Sequence, residues 1–158
     1  MKPEDIARIM ELAPGRQQSV RLLPERRGQS TEESAMEFFA TARVDTGAAA
    51  LEQRLTLDRL PDWCASIDAV LEHSGETGRI YCVWGEFAVR RESIRGGLRF
   101  TLPGCPNALA WTITTELPPD PNAVVVHCTI NRQEHDPDFI ETIEAFVDDW
   151  RRGLEAGM

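Results

Sequence analysis

Residues 78–132, GRIYCVWGEFAVRRESIRGGLRFTLPGCPNALAWTITTELPPDPNAVVVHCTINR, decide the fold. Alternation begins at once: over 80–89, Tyr81, Val83, Phe87 and Val89 fall on one face of an extended segment, and Ile80, Cys82, Trp84, Glu86 and Ala88 on the other. The aromatic and β-branched content suits a strand as well. Leu98, Phe100 and Leu102 alternate with Arg99 and Thr101, and this second run joins the first through Arg95-Gly96-Gly97, where glycine supplies the positive φ of a hairpin turn. The turn clusters PGCPN (103–107) and PPDPN (118–122) then mark off two further strands, 108–115 and 124–130. Short connections favour antiparallel neighbours, so a meander of four strands is expected.

A helix closes the chain. Phe139, Ile140, Ile143, Phe146, Val147 and Trp150 recur at the spacing of one helical face, with Glu141, Thr142, Glu144, Asp148 and Asp149 on the other. Asp136 is placed to cap it, Pro137 suits its first turn, and Arg151 and Arg152 lie where cations complement a C-terminal dipole. Such an apolar stripe needs a sheet to lie on, and the face carrying Tyr81, Val83 and Phe87 is the expected partner.

The first half reads as a helix over 3–13 stopped by Pro14-Gly15, a strand over 19–23, a polar connection over 26–34, and two strands, 37–44 and 51–57, flanking Asp45-Thr46-Gly47-Ala48. The run from Ala48 to Gln53 is equally suited to begin a helix. Leu60, Trp63, Cys64, Ile67, Val70 and Leu71 give a further helical face ended by Ser74-Gly75. The expected architecture is therefore α+β, a mainly antiparallel sheet with an amphipathic C-terminal helix and further helices packed on it, in one domain over 1–158.

Length and composition agree: 158 residues, 42% hydrophobic and 27% charged, are ordinary for a globular domain, with no composition break marking a linker. The N-terminus lacks the apolar stretch of a signal peptide, and no run approaches the roughly 20 apolar residues of a membrane span, so a cytoplasmic location is expected. Seventeen basic against 26 acidic residues give a net charge of -9, which argues against nucleic-acid and anionic-membrane partners. Arg90, Arg91, Arg95 and Arg99 cluster near one hairpin tip and read as solvated turn charge.

No catalytic, nucleotide or metal motif stands out. Cys64, Cys82, Cys105 and Cys128 lie about twenty residues apart, without the close pairs of a zinc site, and read as buried free thiols. Cys105 differs, lying in a turn that allows exposure. His127 and Cys128 are adjacent on one strand and point to opposite faces, so they do not share a metal; a site from His127, Cys82 and a carboxylate is a minor alternative. His73 ends a predicted helix and His135 precedes the Asp136 cap. Catalytic residues, metal and cofactor are accordingly expected to be none.

Trp63, Trp111 and Trp150 sit within apolar stripes and read as core, which leaves Trp84 as an anchor for recognition. With Glu86, Arg99, Thr112 and His127 it gives a candidate ligand- or partner-binding surface, if these alternate positions share one face. Two functions fit. The first is a non-enzymatic protein-binding module, such as a small acidic chaperone, accessory or immunity-like factor, whose partner is another protein or a second copy in a homodimer. The order of elements is loosely similar to that of small acidic secretion chaperones, with no motif behind the likeness. The alternative is a small-molecule binder or enzyme with a pocket between a curved sheet and the C-terminal helix, where His127 or Glu86 would be the acid or base.

Overall fold

A computed structural model describes residues 35–158. The expected helix over 3–13, strand over 19–23 and connection over 26–34 lie outside the described residues. Within them run β1 (Met36–Ala42), α1 (Ala48–Arg54), a 3₁₀ turn (Leu57–Arg59), α2 (Leu60–Trp63), β2 (Ile67–Ser74), β3 (Thr77–Cys82), β4 (Gly85–Ile94), β5 (Gly97–Thr101), β6 (Ala110–Thr114), β7 (Val124–Ile130) and α3 (Pro137–Gly157). The seven strands form one antiparallel sheet in the order β1-β7-β6-β5-β4-β3-β2, so the α+β reading stands while the expected four-strand block is part of a larger sheet.

Residues 80–89 are not one strand. Cys82 pairs with Gly85, leaving Val83 and Trp84 as the two-residue turn between β3 and β4, with Gly85 at φ 115°. A turn inside an alternating run shifts its phase. Ile80, Cys82 and Trp84 therefore face the core and Tyr81 is 39% exposed, the reverse of the expected arrangement, whereas Val89 is buried as read. The β4–β5 hairpin does turn at Arg95-Gly96, with Gly96 at φ 85°.

The long helix expected over 60–71 is the short α2 followed by β2. Breaks in register between Ile67 and Ala69 and between Val70 and Glu72 carry Ile67 and Val70 opposite Cys82 and Ile80, and these irregularities imitated a helical spacing. The strand expected over 51–57 is replaced by α1, the alternative that Ala48-Ala49-Ala50 allowed.

The long helix α3 is the local prediction that survives in detail. Asp136 Oδ1 accepts from the Asp138 amide at 2.8 Å and Pro137 occupies the first turn. Phe139, Ile143, Phe146, Val147, Trp150 and Leu154 are buried. They meet Trp84, Phe100 and Trp111 of the sheet, with ring centroids 5.0 Å apart for Trp84–Phe146, 4.9 Å for Trp111–Phe146 and 6.1 Å for Phe100–Trp150. Burying six such side chains contributes on the order of 10 kcal/mol before chain entropy is subtracted. Because α3 runs on to Gly157, Arg151 and Arg152 are not terminal; both pair with Asp148, and Arg151 also with Glu155.

Among the described residues one cation lies inside. Arg91, expected as solvated turn charge, is only 8% exposed: its Nε donates to the Leu55 carbonyl at 2.9 Å, one terminal nitrogen to Glu76 at 2.9 Å, and the other to the Glu52 carbonyl. It fastens the end of α1 to the inner face of β4. A fork of fixed geometry suits three acceptors on two elements, which a lysine would not match.

Candidate functional site

The sheet separates the five sequence candidates. Trp84 lies beneath α3, 1% exposed, its Nε1 donating to Thr142 Oγ1 at 2.8 Å. Its indole N–H has the buried partner that a core tryptophan requires. Arg99, Thr112 and His127 stand in one cross-strand row on the opposite, outward face, since Arg99 pairs with Thr112 and Thr112 with His127. Glu86 is on that same face of the neighbouring β4, six residues along from the Glu92 that pairs with Arg99; it is bound to Arg79 at 2.8 Å, while Arg99 faces Glu92 at 3.8 Å. Three of the five are thus brought together, on a solvent-facing sheet surface.

The row continues into residues that alternation alone did not single out. Phe39 of β1 is directly opposite His127, 59% exposed, and its ring lies on the imidazole with centroids 4.3 Å apart and planes 4° from parallel. His127 Nε2 also meets Glu37 Oε1 at 2.8 Å. The signal for this group was the pattern Glu37-Phe38-Phe39, which needed its partner strand to be interpretable.

Beside them lies a cleft of about 360 Å³, lined by Glu37, Phe38, Phe39 and Ala40 of β1 and by Glu144, Val147 and Asp148 of α3. Four consecutive strand residues, from both faces, line it, so it runs along the backbone edge of β1 rather than over either face. Among the described residues β1 has a strand neighbour on one side only, β7. The walls are acidic. Arg151 holds the Asp148 carboxyl below the ordinary carboxylate range, and Arg151 and Arg152 offset its charge, which leaves Glu37 and Glu144 to set the sign of the cleft.

The cysteines carry no reactive signature. All four are free and buried, Cys105 included, so the turn that allowed exposure does not provide it. Burial pushes the Cys82 thiol up to about 11 and those of Cys64, Cys105 and Cys128 upward too. Cys82 faces the core and His127 the outside, so the sheet divides the one metal set the sequence suggested. No group of three or more His, Cys, Asp or Glu among the described residues is arranged to hold a metal ion. Nor is any described helix long and apolar enough to cross a membrane.

No protein-family model and no curated protein matches the chain. Solved structures do. The protein XoxI from Bacillus cereus matches at 14% identity over 78% of this chain and 94% of that one, with a TM-score of 0.54. A putative uncharacterized protein from Bacillus thuringiensis matches at 15% identity over 78% and 97%, with a TM-score of 0.53. Ara h 8.0201 matches at 13% identity over 77% and 95%, with a TM-score of 0.52. At such identities the likeness is one of fold, a sheet laid over a long C-terminal helix.

Proposed function

We propose that this chain is a protein-binding module that takes a basic, extended segment of a partner protein along the edge of β1, with a lysine or arginine side chain set between Glu37 and Glu144. The observation that carries the reading is the cleft itself. Its floor is a strand edge, which adds a further strand through main-chain hydrogen bonds, and its walls are carboxylates, which select the side chains of that strand. The overall charge of -9 acts in the same direction, drawing a cationic partner in. Phe39, exposed and rigidified by its stack on His127, supplies the apolar anchor at the rim. A second copy of this acidic chain is the poorer occupant, since it would bring like charge to the cleft.

Isothermal titration with an alternating lysine–valine heptapeptide and its glutamate–valine counterpart tests this. Saturable binding of the first alone, weakened at least about tenfold by Glu144→Lys, is expected for one lost charge pair. Equal heats from both peptides, or binding indifferent to Glu144→Lys, would sink the reading.

A second reading, a small-molecule site between the sheet and α3, is favoured by one observation. The buried indole N–H groups of Trp63, Trp111 and Trp150 have no acceptor, and such orphaned donors call for a partner. Native mass spectrometry of the protein as purified checks it: a discrete added mass released on unfolding supports the pocket, and the bare chain mass alone argues against it.

A further inference from the structure

Two loops meet at one end of the sheet, 102–109 between β5 and β6 and 131–136 between β7 and α3, joined by the Asn131 amide donating to the Asn107 carbonyl at 2.9 Å. Asn107 is fully buried; its Oδ1 accepts from Arg132 Nε at 3.1 Å, and that bond fixes which end of the amide is nitrogen. The amide nitrogen, Nδ2, then has no partner among the described residues. Ala108, next in the chain, is held at φ 50°, so the backbone that seats Asn107 is maintained against its own preference.

His135 repeats the pattern. Its Nδ1 accepts from the Asp136 amide at 2.7 Å, which puts the proton of the neutral ring on Nε2, and that Nε2 is buried without a partner. The ring is held in place against Phe139, centroids 4.2 Å apart. Burial, with Arg132 adding to it, moves the His135 pKa down, so the neutral donor form persists at neutral pH. The neighbouring carboxylate of Asp136 is committed to the Asp138 amide at the start of α3, while Glu134 and Asp138 are exposed.

Among the described residues, the buried side-chain atoms of this cluster that lack a partner are therefore both donors. We propose that these two loops form a site for a small oxyanion group, a carboxylate or phosphate oxygen accepting from Asn107 Nδ2 and His135 Nε2 beside the Arg132 guanidinium. Buried donors left unpaired are costly, and an anionic oxygen satisfies them more strongly than a neutral acceptor. The site is distinct from the β1 cleft, and it does not depend on the protein-binding reading.

The test is an NMR titration of the His135 ring with inorganic phosphate and, separately, with acetate, in wild type, Asn107→Asp and His135→Phe. Asn107→Asp keeps the oxygen that Arg132 binds and turns the orphaned donor into an acceptor. His135→Phe keeps the stack on Phe139, and its binding is followed at the Asn131 and Asp136 amides. A saturable shift in wild type, weakened at least about tenfold in both variants while each melts cooperatively, is expected for loss of a charge-assisted hydrogen bond. Tighter saturation by phosphate would assign the site to phosphoryl groups, and by acetate to carboxylates. A shift that never saturates, or equal affinities in wild type and Asn107→Asp, would overturn the proposal and leave only a buried water at these donors.

Discussion

Gly153 of α3 lies against the main chain of Trp63 so closely that a Cβ built on it would stand 1.7 Å from the Trp63 carbonyl oxygen. This contact brings the long helix down onto α2, with the Trp63 ring reaching on toward Gly157.

Gly153→Ala should therefore act with the sign opposite to helix propensity. In an exposed helix the change gains about 1 kcal/mol; here it forces two backbones apart, and overpacking of that kind outweighs the gain, for a net loss of at least about 2 kcal/mol. Urea unfolding of the two proteins measures it. A variant as stable as the parent would show that α3 and α2 do not pack this way.

Trp150→Ala tests whether α3 is core or a docking arm. The side chain is fully buried among Phe100 and Trp111, so its removal should destabilise the protein by about 3 to 5 kcal/mol. Trp84→Phe, by contrast, keeps most of the ring volume and loses the bond to Thr142, a change of about 1 kcal/mol. Both are read from denaturant midpoints.

Arg91→Lys should behave as a disruptive substitution. An ammonium on a longer stem cannot serve the Leu55 and Glu52 carbonyls and Glu76 together, so about 2 kcal/mol should be lost. Hydrogen exchange at the amide of Leu55, which binds the Leu51 carbonyl, should quicken in the variant, because Arg91 fastens α1.

Acid should weaken the fold through His135. Its folded pKa lies below the unfolded value of 6.5, so the unfolded chain binds the proton more readily. Stability from this group is complete above the unfolded pKa and is lost as pH falls from there through the lower folded pKa. Unfolding free energies measured between pH 7 and 5 should fall more steeply for wild type than for His135→Phe, and parallel curves would contradict the assignment.

The sequence carried much of this fold and little of its candidate site, for identifiable reasons. Helix α3 was legible because capping by Asp136-Pro137 and a six-residue apolar face are both local. The β4–β5 hairpin was legible because Arg95-Gly96 is a turn that only glycine makes easy. The Val83-Trp84 turn was hidden by bulky residues that look like strand, and β2 by register breaks that gave Ile67 and Val70 a helical spacing. Alternation from Phe87 through Val89 does place Arg91 on the inner face, yet its charge argued for solvent until three acceptors came into view. The row of Arg99, Thr112 and His127 followed from pleat alone. The acidic cleft did not, since it joins Glu37 to Glu144, more than a hundred residues along the chain.

The most direct test of the β1 cleft as a docking edge is a ¹H–¹⁵N NMR titration of the protein with the alternating lysine–valine heptapeptide. Saturable amide shifts confined to 36–42 and to the turn of α3 carrying Glu144 and Asp148, with new protection of β1 amides from solvent exchange, are predicted. Shifts centred instead on the Arg99–Thr112 row, or on the Trp84–Thr142 contact, would contradict the account.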